Sequence, residues 1–114
     1  LRYHGDSALV SQLYHERQIE AVAVPQLATF DAGVQFARAE GIVPAPESCH
    51  AIRAAIDEAL KCKATGEPKV ILFNLTGHGH FDMAAYDRYF SGQLEDYAYP
   101  AEAIAASLEH LPKF

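Results

Sequence analysis

Positive charge is scarce in this chain. Nine lysines and arginines face fifteen aspartates and glutamates, for a formal net charge of -6. A surface with that balance argues against nucleic acid as a partner, since phosphate backbones select basic patches. Cysteine is nearly absent: Cys49 and Cys62 are the only two, without CxxC spacing. That pattern excludes a disulfide framework and reads as reduced thiols of a cytoplasmic protein. No apolar run approaches the length of a membrane span, and no signal-peptide pattern is present. Repeats and low-complexity segments are also missing. The single methionine is Met83, and the chain opens Leu1-Arg2-Tyr3-His4-Gly5. The expectation is a processed chain, an engineered one, or a piece of something longer.

Apolar residues, by contrast, make up half of the 114 positions, and six tyrosines and six phenylalanines are among them. This suits one folded domain with a modest core. The most informative stretch is Val70-Ile71-Leu72-Phe73-Asn74-Leu75-Thr76-Gly77-His78-Gly79-His80-Phe81-Asp82. Its β-branched apolar start reads as a buried strand. Gly77 and Gly79 allow a tight turn, and Asp82 is placed to cap a following helix. Strand, glycine-rich turn and helix is how open α/β sheets build ligand sites. Backbone N–H groups at such a turn favour an anionic or polar ligand. The plain alternative is a turn that only connects two elements.

In chain order, Ser7 caps a helix through about residue 17, and 20–24 reads as a short strand closed by Pro25. A helix over 26–40 buries Leu27, Phe30, Val34 and Ala37, with Gly41 at its left-handed end. Pro44 and Pro46 keep 42–46 from being helical throughout. A helix begins at Glu47 or Ser48 and runs to about Lys63, burying Ile52, Ile56, Ala59 and Leu60. Strand 70–75, a helix over 83–90 and a last helix over 101–111 complete the list. Two strands make a poor sheet by themselves. The expected fold class is therefore α/β: helices packed on a short, mostly parallel sheet that is part of a larger domain.

Several residues invite chemistry. His78, His80 and Asp82 lie in one turn and, with His50, offer a zinc-like ligand set, although H-x-H in a loop is common. Ser48-Cys49-His50 suggests a nucleophile, but neighbours in sequence rarely form a nucleophile–base pair. Ser48 as a helix cap is the simpler assignment. Glu47 serves either the helix dipole or a ligand. Lys61, Lys63, Lys69 and Lys113 read as surface lysines.

Two segments shift this weighing. Glu40-Gly41-Ile42-Val43-Pro44-Ala45-Pro46-Glu47-Ser48-Cys49-His50-Ala51 resembles the E-G-I-x-P-A-x-E-S-x-H-A segment of the tryptophan synthase β-chain family. Asn74-Leu75-Thr76-Gly77-His78-Gly79-His80-Phe81-Asp82 resembles its later N-L-S-G-x-G-x-x-D, and Leu1 to Gly5 resembles the loop before both. Arg2, His78 and His80 look more like the β-like second branch. The resemblance runs from residue 1 to about 92. It divides the chain into 1–92, the C-terminal portion of a β-like catalytic domain, and 93–114, an extension with a helix.

The resemblance implies a fold type II pyridoxal-phosphate enzyme joining L-serine and indole to give L-tryptophan and water. Thr76 matches the family's serine that hydrogen-bonds the pyridine nitrogen, and Glu47 a glutamate beside the ring. Ser48, Gly77 and Gly79 join them as cofactor-binding positions. Arg2 stands where the main branch has a gating aspartate. The backbone carbonyls of Leu1 and Tyr3 match a monovalent-cation site. No Schiff-base lysine and no G-G-G-S-N-like phosphate cradle is found, so no catalytic residue is assigned. The isolated chain is expected to hold no cofactor and to be inactive. Its expected partner is the missing N-terminal half, within a homo-oligomer; an α-subunit is not expected. The alternatives are a non-catalytic, oligomerising or binding fragment, a small enzyme using Glu47 and the His78/His80 turn, or a related lyase with another amino-acid substrate.

Overall fold

The computed structural model describes residues 7–109. Among them the elements are helices α1 (Ala8–His15), α2 (Gln26–Glu40), α3 (Pro46–Thr65), α4 (Met83–Phe90) and α5 (Ala101–Leu108), with a 3-10 turn at Gly79–Phe81. Helices α2 and α3 form the main packed pair, and α4 closes against α2.

Local chemistry explains the helix ends. Pro25 and Pro100 occupy the N-cap positions of α2 and α5 in extended backbone, where the absent N–H is not missed. Pro46 sits in the first turn of α3. Gly41 and Gly66 end α2 and α3 in the left-handed conformation, at φ 70° and 74°. Asp82 occupies the N-cap position of α4, but its carboxylate makes no capping hydrogen bond; its backbone carbonyl accepts from Ala85 and Tyr86 instead.

The core is small. Phe30, Ala32, Ala45, Cys49, Ile52 and Tyr86 are its buried apolar members, with Thr29 and Ser48 beside them. The face that α2 buries is Thr29, Phe30, Ala32 and Gly33 rather than the expected Leu27, Phe30, Val34 and Ala37. Close approach of α3 favours small residues: a Cβ at Gly33 would collide with the Cys49 sulfur. On α3, Ile52 is buried, whereas Ala59 and Leu60 are exposed. Phe30 packs edge-on against Tyr86, with centroids 5.2 Å apart, and stacks on Tyr89 at 5.7 Å.

The expected sheet is not formed. Among the described residues there is no strand, and the only β-type pairing is an isolated antiparallel bridge between Pro44 and His78. A strand is a pairing as much as a conformation, and neither 20–24 nor 70–75 has a neighbour to pair with. The 70–75 run does alternate in burial. Phe73 meets Phe36 of α2 edge-on at 6.1 Å, while Val70 and Leu72 are 100% and 94% exposed. The fold class among the described residues is therefore helical, not α/β. The segment after α4 is tied back to α2, whose Leu27 N–H donates to Asp96 Oδ1 at 3.0 Å and whose Gln26 amide donates to the Glu95 carbonyl. No helix among the described residues is long and apolar enough to cross a membrane.

Candidate functional site

Two segments distant in sequence cross at the start of α3. The Gly79 N–H donates to the Val43 carbonyl at 2.8 Å, and the Ala45 N–H to the Gly77 carbonyl at 3.4 Å. Between these bonds lies the Pro44–His78 bridge. The crossing is tight enough to require glycine. A Cβ at Gly79 would stand 2.6 Å from the Pro44 oxygen and 2.8 Å from Val43 Cγ1. Gly77 holds φ at 77°, a left-handed value that side chains disfavour.

One turn into α3, the buried Ser48 reaches across to Thr76. Its hydroxyl accepts the Thr76 N–H at 3.1 Å and donates to the Thr76 carbonyl. The two hydroxyl oxygens are 3.5 Å apart. Thr76 itself is exposed, so its main chain is pinned from behind while its side chain stands at the surface. Glu47 lies on the exposed face of the first turn of α3, where a carboxylate complements the helix N-terminus.

Ser48 thus meets Thr76 across the crossing, and Gly77 and Gly79 pack on the 43–45 segment, while Glu47 stands beside Ser48 on the exposed face of α3. Arg2, Leu1 and Tyr3 lie outside the described residues. The histidines behave differently from a ligand set. His78 Nδ1 accepts the His80 N–H at 3.3 Å, capping the 3-10 turn, and its ring lies 4.7 Å from His80 and 5.3 Å from Phe81. His50 Nδ1 is 3.2 Å from the Glu47 carbonyl, a contact that requires the Nδ1–H form. Among the described residues, no three His, Cys, Asp or Glu gather closely enough to hold a metal ion.

Sequence reasoning missed the residues behind the crossing. The Tyr86 hydroxyl donates to the Pro44 carbonyl at 2.7 Å and lies 3.4 Å from the Cys49 sulfur, which in turn is 3.3 Å from the Ala45 carbonyl. Burial pushes the Cys49 thiol up, partly offset by the contact with Tyr86, and the Glu47 charge adds to the rise. Burial, then the Cys49 contact, hold the Tyr86 hydroxyl firmly protonated. Cys49 is therefore a packed, neutral thiol and not a nucleophile. The available signal was Tyr86 itself: an aromatic with a polar tip four residues after the Asp82 cap.

Lys61 is remote from this site, and Lys113 lies outside the described residues. Lys61 lies thirteen positions beyond Ser48 on one helix, about 20 Å at 1.5 Å per residue, and it pairs with Glu58. An open groove of about 900 Å³ lies elsewhere, lined by Phe30, Pro46, His50, Asp82, Arg88 and Tyr97 among others; neither Thr76 nor Glu47 lines it.

No family model matches the chain. Curated relatives do. Tryptophan synthase beta chain 2 of Methanosarcina mazei is 70% identical over 95 residues, which are 83% of this chain and 22% of the relative. The Aquifex aeolicus beta chain 2 is 68% identical over 96 residues, 84% of this chain and 22% of the relative. The tryptophan synthase beta chain of Pyrococcus horikoshii is 54% identical over 97 residues, 85% of this chain and 21% of the relative. The chain thus spans about one fifth of the length of the curated relatives it matches. Over these residues the chain is similar to tryptophan synthase beta chains, matching a C-terminal part of those named beta chain 2.

Proposed function

We propose that this chain supplies one wall of a pyridoxal-phosphate pocket in a tryptophan synthase β-like enzyme that joins L-serine and indole. The observation that carries the reading is the exposed Thr76 hydroxyl on a main chain pinned by buried Ser48. A hydroxyl is a suitable partner for a neutral ring nitrogen, because it can donate without the charge that would protonate that nitrogen. The donor set therefore fits the group. Bound pyridoxal phosphate would supply the electron sink for chemistry at the amino-acid substrate.

In this reading Thr76 hydrogen-bonds the ring nitrogen and Glu47 lines the pocket beside the ring. Ser48 holds Thr76 in place, and Gly77 and Gly79, packed on the 43–45 segment, let the backbone approach the ring. Arg2 would stand at the substrate gate, and the Leu1 and Tyr3 carbonyls at a monovalent-cation site. The division into 1–92 and an extension over 93–114 belongs to the same proposal.

The remainder of a longer chain completes the pocket. Support comes from the relatives, which are several times longer, and from Val70 and Leu72, whose apolar side chains are fully exposed. That exposure also favours a second reading, self-association of a non-catalytic fragment. Sedimentation over a range of concentrations separates the two: a monomer at every concentration removes the second.

The proposal is tested by titrating the chain with pyridoxal phosphate, followed by visible absorption, borohydride reduction and mass analysis. The expected result is no saturable band and no modified lysine. A band trapped on one of Lys61, Lys63, Lys69 or Lys113 would identify an anchor within the chain and overturn the wall reading.

A further inference from the structure

We propose that Tyr86 is a positioning residue for Thr76, acting through its hydroxyl on the Pro44 carbonyl; the inference rests on the pocket-wall reading and names the device that sets its key hydroxyl. Pro44 is fully buried and has no N–H. Its neighbours Val43 and Ala45 bond to the glycine turn. The Pro44 carbonyl is bonded instead by Tyr86, at 2.7 Å. Without that hydroxyl, a buried acceptor would be left unpaired.

The bonds form a closed circuit. From Thr76 the chain passes through the turn to Asp82, where α4 begins, and one helical turn later Tyr86 reaches back to Pro44. From Pro44 it continues into α3, where Ser48 holds the main chain of Thr76. Tyr86 also touches the turn directly: its Cε2 would lie 3.1 Å from a Cβ at Gly79. Phe30 packs edge-on against the ring, and the Cys49 sulfur lies 3.4 Å from the hydroxyl. Ring and hydroxyl thus have separable roles. The ring fills the core, and the hydroxyl registers the Val43–Ala45 segment against the turn that carries Thr76.

The test is amide hydrogen exchange by NMR on the chain itself, comparing wild type, Tyr86→Phe, and a protein with 3-fluorotyrosine at position 86. In Tyr86→Phe the Thr76 and Gly79 amides should exchange about tenfold faster, with a shifted Thr76 methyl resonance, while amides in the middle of α3 keep their rates. The fluorinated phenol keeps the donor and strengthens it, so Thr76 and Gly79 should exchange about twofold more slowly than in wild type. Unchanged Thr76 and Gly79 exchange in Tyr86→Phe, or a fluorotyrosine protein that behaves like it, overturns the proposal. If Tyr86→Phe does not fold, the fluorotyrosine protein decides, and no change from wild type there overturns the proposal. The readout involves no cofactor, so it fails only if the Tyr86 contact has no such role. Failure of the pocket-wall reading shows separately, in the pyridoxal-phosphate titration.

Discussion

Ser48 and Thr76, twenty-eight positions apart, are joined by two hydrogen bonds between one side-chain hydroxyl and one residue's main chain. This is the point at which α3 and the glycine turn become a single site. Ser48→Ala removes both bonds and leaves no comparable partner. Because Thr76 is exposed, water recovers part of the loss, so destabilisation should be about 1 kcal/mol. Urea unfolding followed by circular dichroism measures it. A variant as stable as wild type would show that the contact holds nothing in place.

Gly79 tests the crossing from the other side. Gly79→Ala forces a methyl to within 2.6 Å of the Pro44 oxygen. Neither partner is a flexible side-chain end, so the cost should be about 1–3 kcal/mol. Gly41→Ala is the control: it has open space but a left-handed φ of 70°, and should lose about 1 kcal/mol. Gly79 has no left-handed φ of its own, so a Gly79→Ala variant as stable as wild type would contradict the close approach.

The pH dependence follows from Cys49 and Tyr86. Burial raises both above their ordinary values, so the folded state favours their protonated forms. Their contribution to stability is complete below the ionisation of an unfolded cysteine, about pH 8.5. It declines as pH rises from there through the raised folded-state pKa of Cys49, and further where Tyr86 would ionise. Unfolding free energy measured from pH 7 to 10 should therefore fall on the alkaline side, and the fall should shrink in Cys49→Ala. A thiol reagent at pH 8 should label the less buried Cys62 well before Cys49. Equal labelling rates would contradict the packing described for Cys49.

The exposed apolar run gives a fourth prediction. Leu72→Asp places a charge on a side chain that touches little within the chain. Stability of the isolated chain should change by no more than about 0.5 kcal/mol. Association with the rest of a relative's chain should weaken strongly, because a carboxylate would then have to be buried unpaired. Unimpaired association would show that this face is not covered by the larger protein.

Helix positions were largely legible in the sequence because their signals are local. Pro25 marks the start of α2 and Gly41 adopts the left-handed cap expected of it; α3 begins at Pro46, a residue or two before the expected start, and Gly66 ends it in the same left-handed way. The sheet was misread because residues 70–75 carry the composition of a strand without the neighbours that make one. The buried face of α2 was misread because apolar periodicity favours Val34 and Ala37, whereas close packing on Cys49 selects Gly33. At the site, the resemblance named both Ser48 and Thr76, and the structure shows these two in contact; composition alone gives no reason to pair them. Tyr86 escaped notice because an aromatic on a helix reads as core, and only the structure shows its hydroxyl on Pro44.

The most direct test of the pocket-wall account is recombination. This chain is mixed with the separately prepared preceding portion of the Methanosarcina mazei relative, pyridoxal phosphate, L-serine and indole, and L-tryptophan is quantified. The account expects none from either piece alone and formation from the mixture, reduced when Thr76→Ala is used. Tryptophan made by this chain alone, or a mixture that associates yet is indifferent to Thr76→Ala, would contradict it.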